Sequence, residues 1–127
     1  DHSASGLVDT VTVDSGASST YSICLHEAAD GEYEVADKDA TTTLPCTVLA
    51  IEDGTGSKKV LTYGKWRDDT ANWTTGPGMA AMIYLGDDGA LTQTAPSTTG
   101  DYVQFVGRAL TDDVMFFNPN YVPIEVP

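Results

Sequence analysis

A chain that spells out one strand pattern twice has few ways to fold, because two like units bury their apolar faces best against each other. Residues Tyr21 to Gly31 pass from a short apolar strand into an acidic turn closed by glycine, and Ala81 to Gly89 do the same. After each glycine comes a second apolar strand with an acidic ending, Val48 to Asp53 and Val106 to Asp112. A third follows each, Val60 to Gly64 and Val114 to Asn118. The recurrence predicts two pseudo-repeated three-stranded units, about 21–64 and 81–118, joined by a linking loop at 65–80 and closing around one core. The competing account is chance similarity between two β-rich stretches.

Nearly every local signal along the chain is a strand signal. Runs rich in Val, Ile, Thr and Tyr alternate with clusters of Gly, Pro, Asp, Asn and Ser. Leu7 to Val13 alternates apolar and polar residues and reads as a half-buried strand. Asp30–Gly31 reads as a hairpin turn returning into Glu32 to Ala36. Cys46 to Ile51 and Lys59 to Tyr63 flank a glycine-bearing turn, and Tyr102 to Leu110 with Val114 to Phe117 form a last hairpin. Only Asp69 to Asn72 reads as a single helical turn. The expected fold is all-β, a single small β-barrel or barrel-like sandwich over 21–119. An extended N-terminal arm (1–20) and a C-terminal tail (120–127) flank it. Closure would remove the exposed edges that make β proteins aggregate.

At 127 residues the chain is long enough for one domain with its own core. It opens on Asp1 rather than Met, so its start is expected to be processed or preceded by further residues. No apolar run approaches the ~20 residues of a membrane span, and no signal-peptide pattern is present. Six Lys plus Arg against 19 Asp plus Glu give a formal charge of −13. That disfavours nucleic acid, whose phosphates need a basic face. Cys24 and Cys46 lie inside apolar strand patterns, without metal-ligand spacing. They read as two small buried side chains, with a bond between them as the other possibility.

The run from Met82 to Pro119 carries more than a strand pattern. Tyr84–Leu85, Gly89, Leu91–Thr92, Pro96–Ser97, Gly100–Asp101, Val103–Gln104, Val106–Gly107, Ala109–Leu110 and Asn118–Pro119 fall in it in order. The run resembles a module of tailed-bacteriophage structural proteins, found in capsid decoration (cement or head-fibre) proteins and at the C-termini of some fibre proteins. Leu44 to Asp53 followed by Val60 to Gly64 is similar to the matching upstream half of small capsid proteins. Val48–Leu49 stands there where a glycine often precedes an Ala–Leu pair. The resemblance covers about residues 21 to 119. It implies a non-enzymatic virion protein on the outer capsid surface, with the major capsid protein as partner and a homo-oligomer, a trimer foremost. The other implied role is a fibre-tip or head-fibre domain that recognises host-surface glycan.

The residues themselves offer little for turnover chemistry. His26–Glu27 could serve a metal or a proton transfer, but reads better as a solvated strand end. Asp87–Asp88 and Asp112–Asp113 could hold a cation through oxygen, yet turn residues bonding their own backbone explain them equally well. Ser22 and Ser97 lack a nucleophile's surroundings. No cofactor, catalytic or metal residue is assigned. Trp66 and Trp73, in the linking loop, suit three roles: stacking on sugar, anchoring a subunit interface, or pinning the loop to its own domain. The apolar side chains of the two arms, Leu7, Val8, Val11 and Val13 with Tyr121, Val122, Ile124 and Val126, call for a cover. They are candidate contacts with a neighbouring subunit or the capsid.

Overall fold

A computed structural model describes residues 1–127. It is all-β, with eleven strands and three short 3-10 turns at Thr41–Thr43, Gly78–Ala81 and Asp87–Gly89. In chain order the strands are β1 (Ser3–Val13), β2 (Cys24–Glu27), β3 (Tyr33–Val35), β4 (Val48–Ala50), β5 (Gly56–Arg67), β6 (Met82–Leu85), β7 (Leu91–Thr92), β8 (Tyr102–Val103), β9 (Phe105–Ala109), β10 (Val114–Phe117) and β11 (Ile124–Glu125). No helix is long and apolar enough to cross a membrane.

Nine strands form one sheet in the order β1-β3-β2-β4-β5-β10-β9-β6-β7, and β11 pairs with β8 apart from it. β5 is the spine. One of its edges takes β4 at Val60 and Leu61 and then β10 from Gly64 to Arg67. Its partnership with β1 runs the full length of that strand, Ser3 against Arg67 to Val13 against Gly56. β1 also touches β3 at a single pair, Val13 with Tyr33, which curls the first half of the sheet back on itself. The sheet as a whole is not closed as a barrel, because β7 ends it.

Two expectations fail in the first and middle thirds. Residues 3–13 are no free arm: they are the longest partner of β5, and the strand begins four residues before Leu7. The linking loop starts later than 65, because Lys65, Trp66 and Arg67 continue β5. Alternation explains both. From Tyr63 to Arg67 exposed and buried residues alternate, with Gly64 and Trp66 inside. Gly64 faces Gly6 across the ladder at φ +142° and +144°, so the two backbones approach where side chains would hold them apart. The helical turn expected at Asp69 to Asn72 is a hydrogen-bonded turn instead, closed by Ala71 N–H on the Asp68 carbonyl at 3.0 Å.

The main core draws on both halves, with Cys24, Leu49 and Leu61 meeting Trp66, Ile83, Leu85, Val106, Met115 and Phe117. A smaller cluster of Val13, Leu25, Val48, Ala50 and Val60 fills the curled first half. Two polar ties join the halves. Gln104, 1% exposed, accepts a hydrogen bond from Cys46 N–H at 2.9 Å and donates to the carbonyls of Cys46 and Asn120, both at 2.8 Å. Lys38, ahead of the first 3-10 turn, pairs with Asp101 and lies 3.2 Å from Asp87. The hydrogen bond from Asp101 raises the Lys38 pKa above the ordinary lysine value, with Asp87 adding to it against some loss of solvation.

Both cysteines are free and buried. Burial pushes the Cys46 thiol well above the ordinary value, and neighbouring Cys24 adds to the rise. The native protein is therefore expected to resist a thiol reagent such as DTNB, releasing two equivalents of product only after denaturant is added. Fast modification without denaturant would show that the β2–β4 region opens on its own.

Candidate functional site

The apolar side chains expected to need a cover divide into three groups. Leu7 and Val8 on β1 are 59% and 46% exposed, and Tyr121, Val122 and Ile124 in the tail are 57%, 71% and 69% exposed. Val11 and Val126 are half-buried. Val13 is sealed in the smaller core cluster and presents nothing to a partner. The tail is anchored by its backbone: Asn120 N–H donates to the Phe105 carbonyl, β11 pairs with β8, and Val126 N–H reaches the Asp101 carbonyl at 2.8 Å. Its exposed apolar side chains thus sit on a tail fixed at Asn120, at Ile124–Glu125 and at Val126.

The tryptophans correct the loop reading. Trp66 lies on β5, only 2% exposed, and its indole N–H donates to Ser22 Oγ at 2.7 Å. Trp73 packs half-buried against the main core. Trp66 presents no free ring face, so sugar stacking by it is excluded, and of the three roles only pinning the segment to its own domain fits it. His26 is also displaced from its expected place: the pairing of β2 between β3 and β4 buries it to 6% exposure, so it is not a solvated strand end.

The broad outer face of the sheet has a chemistry the strand pattern alone did not disclose. Cross-strand register lines up Ser5, Lys65, Phe116, Arg108 and Met82 in one row across β1, β5, β10, β9 and β6. Tyr63, next to this row, meets Phe116 edge-on at 5.0 Å. A shallow groove of about 210 Å³ lies among Met82, Phe105, Arg108 and Phe116. Lys65 and Arg108 make no ion pair, while Arg67 is held by Asp69 at 2.7 Å. A chain of net charge −13 thus gathers half of its six cations on one face. Alternating residues of β5 and β9 carried that signal, but only the register between strands assembles it.

The Asp112 and Asp113 carbonyls accept from Trp73 N–H at 2.7 Å and Asp68 N–H at 2.9 Å, fixing the turn after β5. At the other end a groove of about 480 Å³ is lined by Asp14, Glu34 and Asp88. Asp88 adopts φ 51° and ψ 44°, and its pKa is raised by a hydrogen bond to Asp37 and by the charges of Asp37, Asp87 and Asp39. A carboxyl whose native pKa lies above its unfolded value favours the fold when protonated. That contribution is complete below the unfolded value and lost as pH rises through the native one. Asp88→Asn, which keeps the left-handed backbone comfortable, is expected to raise the Tm at pH 7 and leave it unchanged near pH 3. Equal Tm differences at both pH values would remove the carboxyl pair as the cause.

Comparison with family models, curated proteins and solved structures finds no match to this chain.

Proposed function

We propose that the protein is a virion structural component that binds the outside of a phage capsid and stabilises the shell as a decoration or cement protein. One observation carries this reading: five large apolar side chains stand exposed on the two terminal segments, Leu7, Val8 and Ile124 within paired strands and Tyr121 and Val122 just ahead of β11. Beside them, the outer edge of β1 meets no strand before Val13. An apolar strand edge presented on a rigid sheet suits strand addition to another chain. Many such contacts on a repeating lattice reinforce one another through effective concentration.

The two-unit reading is supported by the strand order. β3-β2-β4-β5 on one side is mirrored by β7-β6-β9-β10 on the other, and the two series meet where β5 pairs antiparallel with β10. Trimeric assembly and the major capsid protein as partner rest on the resemblance of Met82 to Pro119 to phage modules. For recognition of host glycan, Trp66 is internal, and half-buried Trp73 is what remains of the two rings that suggested it.

Copy number in intact virions, measured by quantitative mass spectrometry, tests this function. A lattice binder occurs at a fixed high stoichiometry to the major capsid protein, and a few copies per particle would reject it in favour of a fibre role. The contact surface is tested with Leu7→Ser/Val8→Ser and Val122→Ser/Ile124→Ser proteins added to bare shells. Each pair is expected to lower occupancy without loss of folding, and undiminished occupancy by both would move the contact elsewhere.

A further inference from the structure

The residues ahead of β1 and the turn after β5 converge at one end of the sheet. One carboxylate oxygen of Asp1, one ring nitrogen of His2 and one carboxylate oxygen of Asp68 lie within 4.8 Å of one another. His2 Nε2 is 3.9 Å from Asp68 Oδ1, and His2 Nδ1 is 3.9 Å from Asp1 Oδ2. Each of these groups has a support of its own. The His2 ring lies flat on Tyr21, with centroids 3.8 Å apart and planes 4° from parallel, and it stacks further on Trp66 at 5.8 Å. Asp68 Oδ2 accepts from Ser22 Oγ–H at 2.7 Å, and Ser22 is in turn oriented by the Trp66 indole. Asp68 Oδ1 accepts from Thr70 N–H at 3.0 Å and Thr70 Oγ1–H at 2.7 Å. Asp1 Oδ1 accepts from Asp69 N–H at 3.2 Å.

An imidazole with two carboxylates is a donor set for a borderline divalent ion, and hydrogen bonds behind the donors are what hold such ligands in place. Donor atoms ~2.1 Å from a tetrahedral ion sit roughly 3.4 Å apart, so closing this trio calls for movement of about an ångström. We propose that Asp1, His2 and Asp68 form a three-ligand site for a divalent transition metal such as Zn²⁺ or Co²⁺, with water in the remaining positions. The ion clips the N-terminal end of β1 to the turn that ends β5. This site is independent of capsid binding: it concerns how firmly β1 is seated, whatever β1 adheres to.

Titrating the metal-free protein with Zn²⁺ by calorimetry, and with Co²⁺ by visible absorption, tests the site. The expected result is one ion per chain, with His2→Ala and Asp68→Asn each weakening Zn²⁺ by on the order of tenfold or more. Asp68→Asn retains an oxygen for Thr70 and offers its amide N–H to Ser22 Oγ, and His2→Ala removes only the stacked ring, so both are expected to fold. Bound Zn²⁺ is further expected to slow amide exchange from Ser3 to Gly6 and leave β10 unchanged. No saturable uptake at millimolar Zn²⁺, or uptake that Asp68→Asn leaves intact, overturns the proposal. The second outcome would place the ion on residues 1 and 2 alone.

Discussion

Gln104→Leu is expected to lower folding stability by about 2 kcal/mol, because it leaves two buried backbone groups without partners, at a cost of roughly 1 kcal/mol or more each, and frees a third that water can reach. Those groups are the N–H and carbonyl of Cys46 and the carbonyl of Asn120. Leucine fills most of the space, so the loss isolates hydrogen bonding from packing. Urea unfolding of the purified protein gives the number directly, with an unchanged m-value expected. Because the same amide holds Asn120, hydrogen exchange in residues 120–126 is expected to quicken before that of β10. A loss well under 1 kcal/mol would mean that water takes over the role of the amide.

Gly64→Ala is expected to cost about 3 kcal/mol, through backbone strain rather than lost bonds. A Cβ at this position collides with the Ser5 carbonyl oxygen and comes within 2.9 Å of Gly6 Cα, on backbone at φ +142°. The reciprocal change, Gly6→Ala, drives a Cβ into the Tyr63 carbonyl oxygen. Both variants are expected to loosen β1 selectively, so that its amides exchange faster than those of β9 and β10. If Gly64→Ala unfolds at the wild-type urea midpoint, the close approach of β1 and β5 is not required for stability.

These two positions also show where sequence reading succeeds and where it stops. Val114 to Phe117 was legible as β10 with its observed bounds, since two inward and two outward residues alternate between clear turns. Glycine at 64 reads as the end of a strand when only propensity is consulted. In the folded chain it is the middle of one, because a second glycine, 58 residues away, sits opposite. Gln104 lies in a strand-rich run where a polar residue reads as outward-facing. Its burial depends on where residues 118–120 return, which no local pattern encodes. The candidate contacts were legible in the same uneven way. Leu7, Val8, Tyr121, Val122 and Ile124 are exposed and open to a partner, and Trp66 is not, because its strand is longer than Val60 to Gly64 suggested. The row from Lys65 to Met82 was out of reach, since register between strands is a property of the assembled sheet.

The pairing of β1 with β5 has a consequence for synthesis. Its partners are separated by 43 residues at Val13 and Gly56, and by 64 at Ser3 and Arg67. On the ribosome β1 therefore emerges first and waits without a mate until Arg67 has cleared the exit tunnel. Contacts of such long sequence separation close slowly, which makes this ladder a candidate for the rate-limiting step of folding. In that interval Leu7 to Val13 is an unprotected strand in a crowded cell, and neighbouring nascent copies can trap one another through it. Slowing translation between Val13 and Gly56 is thus expected to lower the soluble yield, whereas slowing it after Arg67 is not.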